Sequence, residues 1–200
     1  MHKIKVLWIC GILAALVSCG HTVKRVDSNT RTDLSGYWND TDLRLASSAL
    51  IKACLDSPRL TQFSAAQGRL PVLIVGPFKN TSDEHIDTAI LAGSLETAIS
   101  NSGRADFVAS GDLRNALRAE RLDQQQGYTS DATIAALGRE QGADFMLSGE
   151  VRTMVDRYEK TATRSYFITA RLTSITTNVQ IWTGKYDEIK KVIRNPSVKP

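Results

Sequence analysis

Hydrophobic positions first form one unbroken block and then return as periodic stripes. Val6 to Val17 is almost wholly apolar and comes after a short basic leader, His2, Lys3 and Lys5. A bilayer span needs about 20 such residues, so this dozen fits the core of an export signal instead. Residues 20–41 carry no apolar period and read as a polar linker, with Tyr37 and Trp38 as the exception, docking on the globular part and ending the mobile stretch. From there Leu43, Ala46, Leu50, Cys54 and Leu55 recur at helical spacing, which predicts a helix over 43–55 capped by Asp42 and stopped by Pro58. Val72-Leu73-Ile74-Val75 is short and apolar on both faces, the pattern of a covered central strand. Gly76 to His85 reads as a loop. A second helix is predicted over 87–101, with Ile90, Leu91, Leu95, Ala98 and Ile99 as its stripe and Ser102-Gly103 ending it.

Phe107-Val108-Ala109 predicts a short strand. A charged helix at 112–122 turns only Leu113, Ala116 and Leu117 inward, and after a loop at Gln124–Gly127 a helix capped by Ser130 runs to about 140. The period then changes from helical to alternating. Phe145, Leu147, Val151 and Val155 alternate with polar residues, as do Tyr166, Ile168, Ala170 and Leu172, and Val179 and Ile181 continue beyond a Thr176-Thr177-Asn178 turn. This predicts antiparallel strands with one wet face. The fold class is therefore α/β: a mixed sheet with a C-terminal antiparallel hairpin, flanked by about four helices. The chain has three parts: an export signal at 1–18, a lipidated N-terminus with a flexible linker at 19–41, and one globular α/β domain at 42–200.

The export signal ends in Leu16-Val17-Ser18-Cys19, which resembles a lipobox. The Cys19 thiol takes a diacylglycerol, the signal is cut before it, and the freed amine is acylated. Several chains, at about 0.8 kcal/mol per buried CH₂, make a stable anchor where one would not. Gly20 stands after Cys19 in place of the Asp that retains lipoproteins in the inner membrane, and this likeness implies the periplasmic face of the outer membrane. The 22 linker residues could span at most about 70–75 Å. Cys10 leaves with the signal, so Cys54 alone remains unmodified and is expected as a buried, inert thiol.

Charge adds little. The chain has 25 Lys and Arg against 21 Asp and Glu, and loss of Lys3 and Lys5 leaves 23 against 21. That balance does not argue for a nucleic-acid partner. Lys185, Lys190, Lys191 and Arg194 read as a solvated tail. The chain has no Cys/His cluster, phosphate-binding glycine loop or nucleophile elbow, so we expect no cofactor, no metal and no enzyme activity. Asn39-Asp40-Thr41-Asp42 could suggest a calcium loop, but helix capping explains it better. Asp83, Glu84, His85 and Asp87 could imitate an acid–base set, or could be a strand-to-helix loop with acids near a helix N-terminus.

Five blocks in order resemble one family: Gly36-Tyr37-Trp38-Asn39-Asp40-Thr41-Asp42, GRLPVLIVGPFKNTSDEHIDT at 68–88, FVASGDLRNALRAERLDQQQGYTSD at 107–131, GADFMLSGEV at 142–151 and ITTNVQIWTGKYDEIKK at 175–191. Behind a lipobox, they are similar to the penicillin-binding-protein activator lipoproteins of the LpoB type. The resemblance implies a fold like the N-terminal domain of TolB. It also implies an outer-membrane lipoprotein that docks on the regulatory domain of a class A penicillin-binding protein and stimulates peptidoglycan synthesis. We expect a monomer. The loop Asn80, Thr81, Ser82, Asp83, Glu84 and His85 is the first candidate partner surface, since polar loops on rigid strands concentrate binding residues. The face Arg114, Arg118 and Arg121 is the second, though a solvated helix face would look the same. Tyr37, Trp38 and Trp182 could anchor a partner, but packing is the commoner role of large aromatics. A secretion-accessory lipoprotein of the curli type is the alternative, and it would need lipid-facing strands of about 9–11 residues.

Overall fold

The computed structural model describes residues 26–27, 30, 33, 35–108, 115–117, 119 and 142–194. The chain divides into two compact units, Met1–Arg31 and Thr32–Pro200. In the first, the Thr30 amide donates to the Asp27 carbonyl. The Cys19 site, the export signal and most of the linker lie outside the described residues, as do Arg114, Arg118, Arg121 and the helix expected to about 140.

The second unit begins its helices with α1, Asp40–Leu55. Asn39 is the N-cap: its side chain accepts the Asp42 amide, and the Asp42 carboxylate accepts the Asn39 amide. This reciprocal box satisfies two orphan donors at once. Asp42, expected as the cap, therefore occupies the third helical position. Pro58 does not simply stop the chain's helical run. It opens α2, Pro58–Gln67, at the first position, where its missing N–H costs nothing. Ser57 caps that helix, and Gly68 ends it in the left-handed region at φ 64°.

Strand β1 runs Val72–Asn80, well past the expected Val75. Pro77 has no amide to give the ladder, and the register with the next strand shifts between Val75 and Phe78. A bulge at Gly76-Pro77 absorbs the proline, and pairing resumes with Phe78 buried. Helix α3, Thr88–Asn101, is capped by Asp87 and buries Leu91, Leu95 and Ile99. Ile90, expected in that stripe, is 57 % exposed because it falls on the outer side of the turn that buries Leu91. Strand β2 is only Asp106–Phe107. Residues 115–117 are helical as expected, but Ala116 and Leu117 are exposed, a turn with too little apolar surface to bury.

The remaining strands are β3, Phe145–Tyr158, β4, Thr161–Ser174, β5, Gln180–Tyr186, and β6, Lys190–Arg194. The sheet order is β2-β1-β3-β4-β5, parallel from β2 to β3 and antiparallel onward. Strand β6 pairs with the first half of β4, below β5. The segment expected as a solvated tail is thus partly sheet, and Lys191 is only 9 % exposed. Register places Leu73, Val75, Phe78, Leu147, Val151, Ile168, Ala170 and Leu172 on one face, where they join α1, α2 and α3 in a single core. Cys54 lies in that core at 1 % exposure, and burial pushes its thiol up to about 12. Among the described residues no helix is long and apolar enough to cross a membrane.

Candidate functional site

The loop after β1 is built by its own side chains. Thr81 continues the ladder, its amide donating to the Val151 carbonyl at 2.9 Å. The Asn80 side-chain oxygen accepts the Ser82 amide at 3.0 Å, and its amide nitrogen donates to the Glu84 carbonyl at 2.7 Å. That is an Asx turn, the local bond that asparagine offers in place of a strand. Ile86 is buried and pins the far end, and Asp87 then caps α3 by accepting the Ala89 amide at 2.9 Å. The six candidate residues at 80–85 therefore sit together at one end of the sheet. Asn80, Thr81, Asp83 and His85 are exposed, while the Glu84 side chain is drawn inward to 5 % exposure.

Glu84 goes inward to meet a buried charge. Arg164 lies on the core-facing register of β4, in line with Ala162 and Tyr166, and is 3 % exposed. Its Nη1 is 2.7 Å from Glu84 Oε1, and its Nη2 is 2.8 Å from Asp83 Oδ2. The Tyr166 hydroxyl donates to the same Glu84 Oε1 at 2.7 Å. Burial, and then Glu84, push the Tyr166 phenol well above its ordinary range, so it stays a donor. The Asp83 amide donates to Thr153 Oγ1 at 3.1 Å. Burial opposes ionisation of Asp83, but the bonds from Thr153 and Arg164 outweigh it and hold the carboxyl below its usual range.

The segment Ser35–Asn39 closes over this network as a strap. The Trp38 amide donates to Glu84 Oε2 at 2.9 Å, and the Trp38 ring packs on Tyr166 with centroids 5.4 Å apart. The Gly36 carbonyl lies 3.2 Å from the Tyr166 hydroxyl, and the Tyr37 ring lies 5.0 Å from the Arg164 guanidinium. On the other side Lys191 reaches Asp42 at 2.6 Å, Asp33 at 3.0 Å and the Tyr37 carbonyl at 2.7 Å. The Gly36 backbone runs so close to β6 that an added Cβ would overlap the Ile193 side chain. Trp38 and Trp182 are half-buried against the core, and Tyr37 keeps an exposed edge.

The chemistry of this arrangement is that of fixed charge. Asp83 and Glu84 are paired with Arg164, and Asp87 serves a helix cap, so the acids that could have imitated an acid–base set have structural partners. Among the described residues no group of three His, Cys, Asp or Glu could hold a metal ion. A signal for Arg164 does exist in the sequence. An arginine on the inward phase of an alternating strand requires a buried acid opposite it.

A family model described as peptidoglycan-synthase activator LpoB matches residues 42–187. No protein of curated function matches the sequence. Among solved structures, the LpoB C-terminal domain from Salmonella enterica is 19 % identical, with 73 % of this chain and 97 % of that one covered and a TM-score of 0.44. The Escherichia coli C-terminal domain gives 19 %, 74 %, 98 % and 0.44. The solution structure of E. coli LpoB gives 17 %, 90 %, 86 % and 0.41. The family match runs from α1 to just past the end of β5, and the chain belongs to the LpoB family of peptidoglycan-synthase activators.

Proposed function

We propose that this chain is an outer-membrane lipoprotein, held on the periplasmic face by acylated Cys19, that binds a class A penicillin-binding protein and stimulates it. The family match over residues 42–187 carries this reading. Activation of this kind is a coupling: the chain must bind the active synthase more tightly than the resting one. Docking needs a rigid surface with polar reach, and the exposed rim Asn80, Thr81, Asp83 and His85 on its braced loop supplies one. The Arg114, Arg118 and Arg121 set is the second candidate surface. A curli-type secretion role calls for lipid-facing strands, whereas the apolar face of β3 and β4 is buried under helices.

Binding tests it directly. The full-length chain in detergent should retain a class A synthase in a pull-down. His85→Ala, which leaves the Arg164 network intact, should weaken retention. Absence of any complex with class A synthases would remove the proposal.

A further inference from the structure

The strap and the candidate docking loop meet at one set of charges centred on the buried Glu84–Arg164 pair. The Glu84 carboxylate is met by Arg164, by Tyr166 and, from the strap, by the Trp38 amide, with the Gly36 carbonyl beside the same tyrosine hydroxyl. A buried ion pair depends on such partners, since each desolvated ion otherwise costs several kcal/mol, and among the described residues the Arg164 Nε is still without one. With the strap in place, Tyr37 covers the guanidinium and water is kept out. With the strap lifted, the same pair becomes a solvated bridge, a far weaker tie. The loop amides of Ser82, Asp83 and Glu84 rest on side-chain oxygens of Asn80, Thr153 and Ser82, not on a continuous ladder. Such bonds open readily once the acids between them are released.

We propose that Ser35–Asn39 is a latch that sets the order of the loop 80–85, so that seating of the strap governs capture of the partner there. The capture half rests on the function proposed above; the latch does not. Lys191 holds the strap's other side through the Tyr37 carbonyl and also pairs with Asp33, which makes β6 the second half of the clasp.

Amide hydrogen exchange on the full-length chain in detergent decides the matter. Two variants leave every loop residue untouched. Trp38→Ala removes the ring from Tyr166, and Gly36→Val drives the strap off Ile193. The latch predicts that exchange at Tyr37–Asn39 and at Ser82–Glu84 rises together, by about tenfold or more, while Leu91, Leu95 and Ile99 in α3 keep their protection. In the Gly36→Val background, Ile193→Ala should restore part of the loop's protection by making room. Three results overturn the latch: strap amides that quicken while loop amides do not, strap amides indifferent to both substitutions, or loop amides that change only in step with α3. Synthase binding measured alongside separates the two readings. If the wild-type chain binds no synthase, the proposed function fails and the exchange result still judges the latch. If a variant with a loosened loop binds as tightly as wild type, capture does not depend on it.

Discussion

Arg164 and Glu84 show how much one residue can carry. Truncating Arg164 to Ala leaves a carboxylate buried and uncompensated, and loss of one partner of such a pair costs about 3–5 kcal/mol. The paired change Arg164→Met with Glu84→Gln should recover much of that loss, which urea unfolding of both variants would show. Acid acts on two aspartates, one beyond each end of β1. Asp144 is held below the usual carboxylate range by hydrogen bonds from Arg69, against burial, with the Val72 amide adding to them. Asp83, despite its burial, is depressed by Thr153 and Arg164. Both folded pKa values lie below the unfolded value of about 3.9, so their stabilisation is whole above that pH and is lost as pH falls through the folded values. Thermal unfolding from neutral pH down through that range should show Tm falling on the acid side, and less so in Asp83→Asn with Asp144→Asn. An equal fall in that double variant would count against these carboxylates. Residue-scale roles are partly legible in the sequence. Cys54 sits on a stripe that announces its burial, and it should resist alkylation at mildly alkaline pH until the protein unfolds. Lys191 gives no such signal, because its partners Asp33 and Asp42 lie at the opposite end of the chain and only the fold brings them near.

Elements with long periodic stripes are readable from sequence, whereas those defined by local chemistry are not. The stripes of α1, α3 and β4 are long enough to average over single exceptions such as Ile90. Helix α2 escapes the pattern because Pro58 reads as a stop, although Ser57 before it and Gly68 after it frame a helix opened by proline. Ser57→Ala should therefore cost about 1 kcal/mol. Strand β1 reads as too short for the same reason, since Gly76-Pro77 is a breaker in sequence and a bulge in the sheet. Strand β6 is hidden in a basic run, because its inward phase carries Lys191 while the apolar Val192 faces out, which breaks the expected alternation. Close approach of strands makes its own demand. A Cβ on Gly149 would overlap the Thr169 carbonyl and lie 2.5 Å from the Phe78 ring. Gly149→Ala should destabilise by about 3 kcal/mol, since strand backbone cannot yield as a side chain can. Chemical denaturation gives the value, and a cost under about 0.5 kcal/mol, the level of an ordinary surface change, would mean the β3–β4–β1 packing is looser than described.

For the molecule as a whole, one α/β unit presents a braced polar loop at one sheet end and takes in its N-terminal strap beside it. The α/β class, the mixed sheet and the family are legible from pattern and from five ordered blocks, because these are properties of many residues at once. The candidate loop is legible as a place, while its bracing by Arg164 and Trp38 is not, since those contacts span 46 to 81 residues. Anchoring belongs to this scale: Cys19→Ala should move the chain from the membrane to the soluble fraction, and retention in the membrane would contradict acylation there. Activation is tested most directly by the rate of glycan polymerisation by a purified class A penicillin-binding protein, with and without the full-length chain. An activator predicts a rate that rises and saturates as the chain is added, with no turnover by the chain alone. A synthase rate unchanged at saturating chain would contradict it.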